Sequence, residues 1–200
     1  MNKFKFISTP IADLTIVEPT VFGDHRGYFM ETFSAREFKE AGLPTVFVQD
    51  NESHSKQGVV RGLHFQKKNP QGKLVPVIEG EVFDVGVDLR RNSPTFGKWF
   101  GVILSAENKK QFYVPEGFAH GFAVLSEMAT FVYKCTRLYD PTDEQGLLWN
   151  DPEIGIKWPE VIGEYPGNAD AFTYHLSDGS PLNLSEKDQT WLGIKDTFKF

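Results

Sequence analysis

Between residues 58 and 66 (GVVRGLHFQ) a guanidinium, Arg61, stands three positions before an imidazole, His64. An imidazole titrates near neutral pH and can take a proton from a substrate, while a guanidinium fork matches phosphate oxygens. The pair reads either as a general base beside a phosphate clamp or, more plainly, as a hydrogen-bonded strand histidine. On a regular strand two side chains three apart point to opposite faces. Gly62, between them, is where a bulge would re-aim one of them. Tyr133, in TFVYKC, is either a buried hydroxyl with one partner or a proton donor to substrate. Lys73 opens an apolar strand, where a solvated lysine is the commoner explanation. Asp188 completes Ser185-x-x-Asp188, the spacing of a helix capping box. Trp149 and Trp158 would stack on a ligand or pack a loop, and packing is the simpler expectation.

Such groups need a rigid frame, and the sequence points to strands. In KLVPVIEGEVFDVGVDLR (73–90), Phe83, Val85, Val87 and Leu89 alternate with Val82, Asp84, Gly86 and Asp88. The first set makes a greasy face; the second is small and acidic, as on a wall lining a wet pocket. Glu79-Gly80-Glu81 is expected to turn one strand into the next. Short apolar runs follow at 99–104, 111–114, 121–125 and 130–137, separated by Asn, Gly, Pro and Ser. With 18 Gly and 12 Pro in 200 residues, many turns are available and a helix bundle is disfavoured. Two short helices are expected: 34–42, with Ser34 as N-cap, Glu37 as its capping-box partner and Gly42 as the stop, and one begun by Ser185. The Gly, Pro, Asp and Asn-rich stretch 161–181 reads as a long loop returning the tail across the sheet, and no linker marks a second domain.

The net charge of −6 excludes a broad cationic surface for nucleic acid or an anionic membrane, so an anionic ligand must meet a local cluster of cations. A single cysteine, Cys135, excludes an intrachain disulfide framework and fits a reducing cytoplasm. The start has no apolar core of the length a secretion signal needs, and no run approaches a membrane span.

Pro115-x-Gly117-x-x-His120 resembles the second motif of the cupin superfamily, which implies a jelly-roll β-barrel or sandwich and would make His120 a metal ligand. The other cupin ligands are missing. His64 is followed by Phe65 and Gln66, and His25, His54 and His175 lie in polar, loop-like stretches, so no metal is expected. Over residues 4 to 160, and again at 182 to 188, the chain resembles the dTDP-4-dehydrorhamnose 3,5-epimerase family. The matching segments include Asp24-x-Arg26-Gly27-x-Phe29-x-Glu31, Gln49-Asp50-Asn51-x-Ser53, Val60-Arg61-Gly62-Leu63-His64-x-Gln66, Lys73-Leu74-Val75, Pro115-x-Gly117-Phe118-Ala119-His120-Gly121-Phe122, Tyr133-Lys134 and Trp149-Asn150-Asp151-Pro152.

The resemblance implies one all-β, cupin-type domain over 1–200 with a few short peripheral helices, in which 161–200 is a C-terminal loop and short helix packed on the barrel. It implies epimerisation of a dTDP-linked 4-keto-6-deoxy sugar at C3 and C5 through an enolate, with neither cofactor nor metal. His64 would be the base, oriented by Asp188 or alternatively by Asp84. Tyr133 would return the proton, and Lys73 would sit near the developing enolate. Arg61 and Arg26 would take the pyrophosphate; Gln49, Asn51 and Glu31 would bond the thymine, the sugar hydroxyls or a neighbouring side chain. Phe29 and Tyr139 would stack on the base, and His120 would contact substrate. The early segment holding Arg26, Phe29 and Glu31 commonly crosses to the partner in this family, which implies a homodimer. Three rival readings are a single-carbon epimerase, a non-catalytic sugar-nucleotide-binding jelly roll and a metal-dependent cupin oxygenase.

Overall fold

A computed structural model describes residues 2–159, 176 and 181–200. Thirteen strands account for most of the regular structure: β1 (Phe4–Ser8), β2 (Thr15–Pro19), β3 (Phe22–Asp24), β4 (Gly27–Phe29), β5 (Gln49–Lys56), β6 (Val60–Gln66), β7 (Lys73–Glu79), β8 (Glu81–Asp88), β9 (Trp99–Ser105), β10 (Gln111–Val114), β11 (Phe118–Val124), β12 (Met128–Cys135) and β13 (Glu144–Gly146). Among the described residues one helix, α1 (Ala35–Glu40), and a 3₁₀ turn, Lys187–Gln189, lie at the periphery. Six strands form one antiparallel sheet in the order β1-β2-β10-β7-β12-β5, and five form a second in the order β13-β6-β11-β8-β9. The result is the expected all-β jelly roll, built as a sandwich of two facing sheets.

Alternation along each strand sorts the side chains into layers. Val75, Val77, Phe112 and Phe131 from the first sheet meet Val82, Leu104, Phe118, Phe122 and Val124 from the second to form the core between them. The outer face of the second sheet carries Leu63, Phe65, Phe83, Val85 and Val87, covered by Leu147, Ile154 and Ile194. The outer face of the first carries Val17, Leu74 and Tyr113, covered by Phe38 of α1. Both faces of β8 are thus buried. Its acidic face does not line a wet pocket as the alternation suggested: Asp84 and Asp88 are fully buried and bonded to other side chains. Gly80 (φ +70°) carries the chain from the first sheet into the second, so residues 79–81 turn a corner between layers.

The helix at 34–42 is present, but its capping box is not. Ser34 makes no side-chain cap, and Glu37 instead accepts the backbone N–H of Lys3 at 2.9 Å, tying α1 to the start of β1. Gly42 (φ +76°) stops it as expected, with Gly42 N–H donating to Lys39 and Leu43 N–H to Phe38, a Schellman closure. His54, expected in a loop, lies in β5. His175 and nearly all of the loop expected at 161–181 lie outside the described residues. The C-terminal helix is a single 3₁₀ turn, in which Asp188 N–H donates to Ser185 while its carboxylate points elsewhere.

Candidate active site

A cavity of about 340 Å³ opens between the sheets at the β5, β6 and β13 edge. Its floor comes from inward-facing residues of five strands: Gln49, Asn51 and Ser53 of β5, Arg61 and His64 of β6, Lys73 of β7, His120 and Phe122 of β11, and Phe131 and Tyr133 of β12. Tyr139, Glu144 and Lys187 close the rim.

Arg61 and His64 share one wall because β6 carries an extra residue. Its pairing with β11 sets His120 opposite His64 and Phe122 opposite Arg61, so that Gly121 alone faces both Gly62 and Leu63. Only glycine fits at position 62. Its φ is +129°, and a Cβ would lie 2.6 Å from Gly121 Cα.

His64 Nε2 hydrogen-bonds Asp188 Oδ1 at 2.5 Å. The carboxylate is almost fully buried and also accepts Trp191 Nε1–H at 3.2 Å and Gly62 N–H at 3.4 Å. Burial opposes its charge, but the bonds from His64 and Trp191 together hold the carboxyl below its ordinary range. Asp84, the alternative orienter of His64, is committed elsewhere: both its oxygens bond His120 Nε2, at 2.9 and 3.1 Å. Burial pushes that imidazole toward the neutral form, against the pull of Asp84. The capping reading of Asp188 is overturned by the same geometry, since its carboxylate turns inward to His64.

Lys73 and Tyr133 face the dyad from the opposite sheet. The Lys73 ammonium lies 5.8 Å from the Tyr133 ring centre and forms no ion pair among the described residues. Burial lowers its pKa, partly offset by Cys135, Asp84 and Glu144. Lys73 is therefore a cavity cation and not a solvated one. Burial likewise raises the Tyr133 phenol, so it stays protonated at neutral pH. Arg61 bonds only Ser55 Oγ, at 3.2 Å, among the described residues. Two unpaired cations in a half-enclosed space give a local positive field within a chain of net charge −6.

Tyr139 stands at the rim, its N–H bonded to Gln49 Oε1 at 2.8 Å and its hydroxyl to Glu144 at 3.1 Å; Gln49 in turn donates to Asn51 at 2.9 Å. Glu144 and Lys187, paired at 2.5 Å, were not singled out from the sequence; the one available signal was that Lys187 adjoins Asp188. Arg26, Phe29 and Glu31 do not join the cavity of their own chain. Arg26 forks onto Asp24 in the β3–β4 hairpin, Phe29 projects into solvent, and Glu31 pairs with Lys3. Trp149 and Trp158 pack together, Trp158 Nε1–H donating to the Trp149 carbonyl at 3.1 Å. Among the described residues no cluster of three His, Cys, Asp or Glu side chains could hold a metal, and no helix is long and apolar enough to cross a membrane.

The family model for dTDP-4-dehydrorhamnose 3,5-epimerase matches residues 8–196. A dTDP-4-dehydrorhamnose 3,5-epimerase of Methanothermobacter thermautotrophicus is 51% identical over 197 residues, covering 98% of this chain and 97% of that protein. The enzyme of the same name from Salmonella typhimurium is 59% identical over 155 residues, 76% of this chain and 85% of its own. Among solved structures, the dTDP-6-deoxy-D-glucose-3,5-epimerase of Legionella pneumophila, in complex with dTDP-4-keto-L-rhamnose, superposes with a TM-score of 0.85 at 47% identity, covering 98% of this chain and 95% of that one.

Proposed function

The chain belongs to the dTDP-4-dehydrorhamnose 3,5-epimerase family, and we propose that it inverts C3 and C5 of dTDP-4-dehydro-6-deoxy-D-glucose to give dTDP-4-dehydro-L-rhamnose. The observation that carries this reading is one cavity holding a His64–Asp188 pair on one wall and Lys73 with Tyr133 on the facing wall.

A proton on carbon next to a ketone becomes acidic only as the enolate oxygen is stabilised. His64 removes it, and Asp188 stabilises the imidazolium so formed. Lys73, an unpaired and partly desolvated ammonium, supplies the field at the enolate oxygen. Tyr133 returns a proton from the opposite sheet, which delivers it to the other face of the carbon and inverts the centre. The scheme moves protons only, so it calls for neither metal nor redox cofactor.

Arg61 takes the pyrophosphate, Tyr139 stacks on the base, Gln49 and Asn51 bond the thymine or sugar hydroxyls, and His120 contacts the sugar. Arg26, Phe29 and Glu31 reach the cavity of the partner in a homodimer, consistent with a hairpin that joins neither main sheet and leaves Phe29 exposed. The whole chain, 1–200, acts as one domain, and a nucleotide-sugar substrate with a free buried thiol suits the cytoplasm.

Turnover of dTDP-4-keto-6-deoxyglucose in deuterium oxide, followed by NMR, tests the reading. Label at both α-carbons is expected. Label at one alone makes the protein a single-carbon epimerase, and none overturns the catalytic assignment.

A further inference from the structure

The carboxylate of Asp188 has more donors than an orienting role for His64 requires. His64 Nε2 and Trp191 Nε1 converge on the same oxygen, Oδ1, at 2.5 and 3.2 Å, while Gly62 N–H reaches Oδ2. The indole has a built seat. A Cβ on Gly146 would stand 2.4 Å from the Trp191 ring, so the ring lies directly on the backbone of β13, and Gly146 is the cross-strand partner of His64. Leu192, the next residue, is tied down by the Leu148 N–H to Leu192 carbonyl bond at 2.9 Å. The His64 and Trp191 rings meet edge to face at 6.4 Å.

Resting on the function proposed above, we propose that Trp191 is a positioning residue of this site: its indole N–H, seated on Gly146, holds Asp188 as a carboxylate while His64 carries the abstracted proton. Between a short, buried donor and acceptor the proton can pass across to the carboxylate, and a protonated Asp188 no longer stabilises the imidazolium. A second donor on the same oxygen lowers its basicity and keeps the proton on the imidazole, from which it can be returned. The indole also covers Asp188 from water. Nothing else in the reaction uses it, since Trp191 does not line the cavity.

The test is Trp191→Phe, which keeps the ring and loses the N–H. Without the indole N–H the carboxylate is more basic, so the His64–Asp188 pair as a whole holds its shared proton more tightly and the free base appears only at higher pH. The acid limb of kcat/KM should therefore move upward, with kcat falling about ten- to a hundredfold, the loss of one charge-assisted hydrogen bond, and KM held within about twofold. The other groups around the imidazole, namely Arg61, Lys73, His120, Tyr133, Glu144 and Lys187, are untouched by the change. A limb that stays in place, whatever happens to kcat, reduces Trp191 to packing and overturns the proposal. If the variant does not fold, a second one that keeps Trp191 decides: of the four tryptophan indole N–H resonances, one should move upfield from its wild-type position in Asp188→Asn, and no movement overturns the proposal. Absence of α-proton exchange in the wild type would instead overturn the proposed function, so the two failures are distinct.

Discussion

A carbon acid releases its proton slowly, and the base that takes it becomes a cation inside a half-closed cavity. As the proposed base, His64 can carry that charge because Asp188, buried within the 3₁₀ turn, is held ionised by the donors around it. Asp188→Asn keeps the shape but replaces the charge by a neutral amide, with loss of the counter-charge and misorientation of the imidazole. Exchange of both α-protons in deuterium oxide should slow about a hundredfold, and His64→Ala should abolish it. An unaffected Asp188→Asn would leave His64 without its assigned partner, since both oxygens of Asp84 are engaged by His120. Asp188 also shows where sequence reasoning stops. Ser185-x-x-Asp188 is a valid capping spacing, and only the tertiary approach of the turn to β6 decides that the carboxylate faces a histidine 124 positions away.

The strands divide into those the alternation revealed and those it could not. β8 through β12 have apolar inner or outer faces, and their limits fall close to the expected ones. β5 (QDNESHSK) escaped because its inner face, Gln49, Asn51 and Ser53, lines the cavity; a strand with a wet inner face carries no hydrophobic period. Gly62 marked where a bulge in β6 would stand without deciding that it forms, and the bulge found there sets His64 and Arg61 on one wall. Gly62→Ala forces a Cβ into Gly121 at a φ that alanine resists, so unfolding should become easier by about 2–4 kcal/mol, measured as a lower Tm with Arg61 and His64 both intact. The end of β8 holds a different device. Asp88 is buried, which opposes its charge, yet bonds from Arg90, Ser93 and Thr95 bring its pKa down to about 2. A depressed carboxyl stabilises the fold above its unfolded pKa of about 3.9 and loses that contribution as pH falls toward its folded value. Asp88→Asn should therefore lower Tm clearly at pH 7, and the gap to wild type should narrow steadily as the pH approaches about 2.

At the scale of the whole molecule, one chain leaves its surface unfinished. Among the described residues the β3–β4 hairpin pairs with no other strand, Lys109 on Tyr28 being its hold on the rest of the chain, and Phe22, Tyr28 and Phe29 are 45%, 58% and 63% exposed on it. An isolated two-stranded hairpin is marginal in water, and three neighbouring aromatics in solvent mark a contact surface. Arg26 sits on the same hairpin, paired only with its neighbour Asp24 and far from needing that pair for stability at such exposure. In the proposed homodimer a second copy would satisfy both facts at once, burying the aromatics and delivering Arg26 to a cavity that already has Arg61 but would have a diphosphate's worth of charge to meet. This shared site makes a prediction that a self-contained cavity does not. Arg26→Ala and His64→Ala should each be strongly impaired alone. Mixed and allowed to exchange subunits, they form heterodimers in which the cavity of the Arg26→Ala chain keeps its own His64 and receives Arg26 from the other chain. One site in each mixed dimer is then whole, and activity should recover to about a quarter of the wild-type level under random pairing. Recovery no greater than the sum of the two parents, in a sample shown by light scattering to be dimeric and mixed, would confine every catalytic and binding group to a single chain.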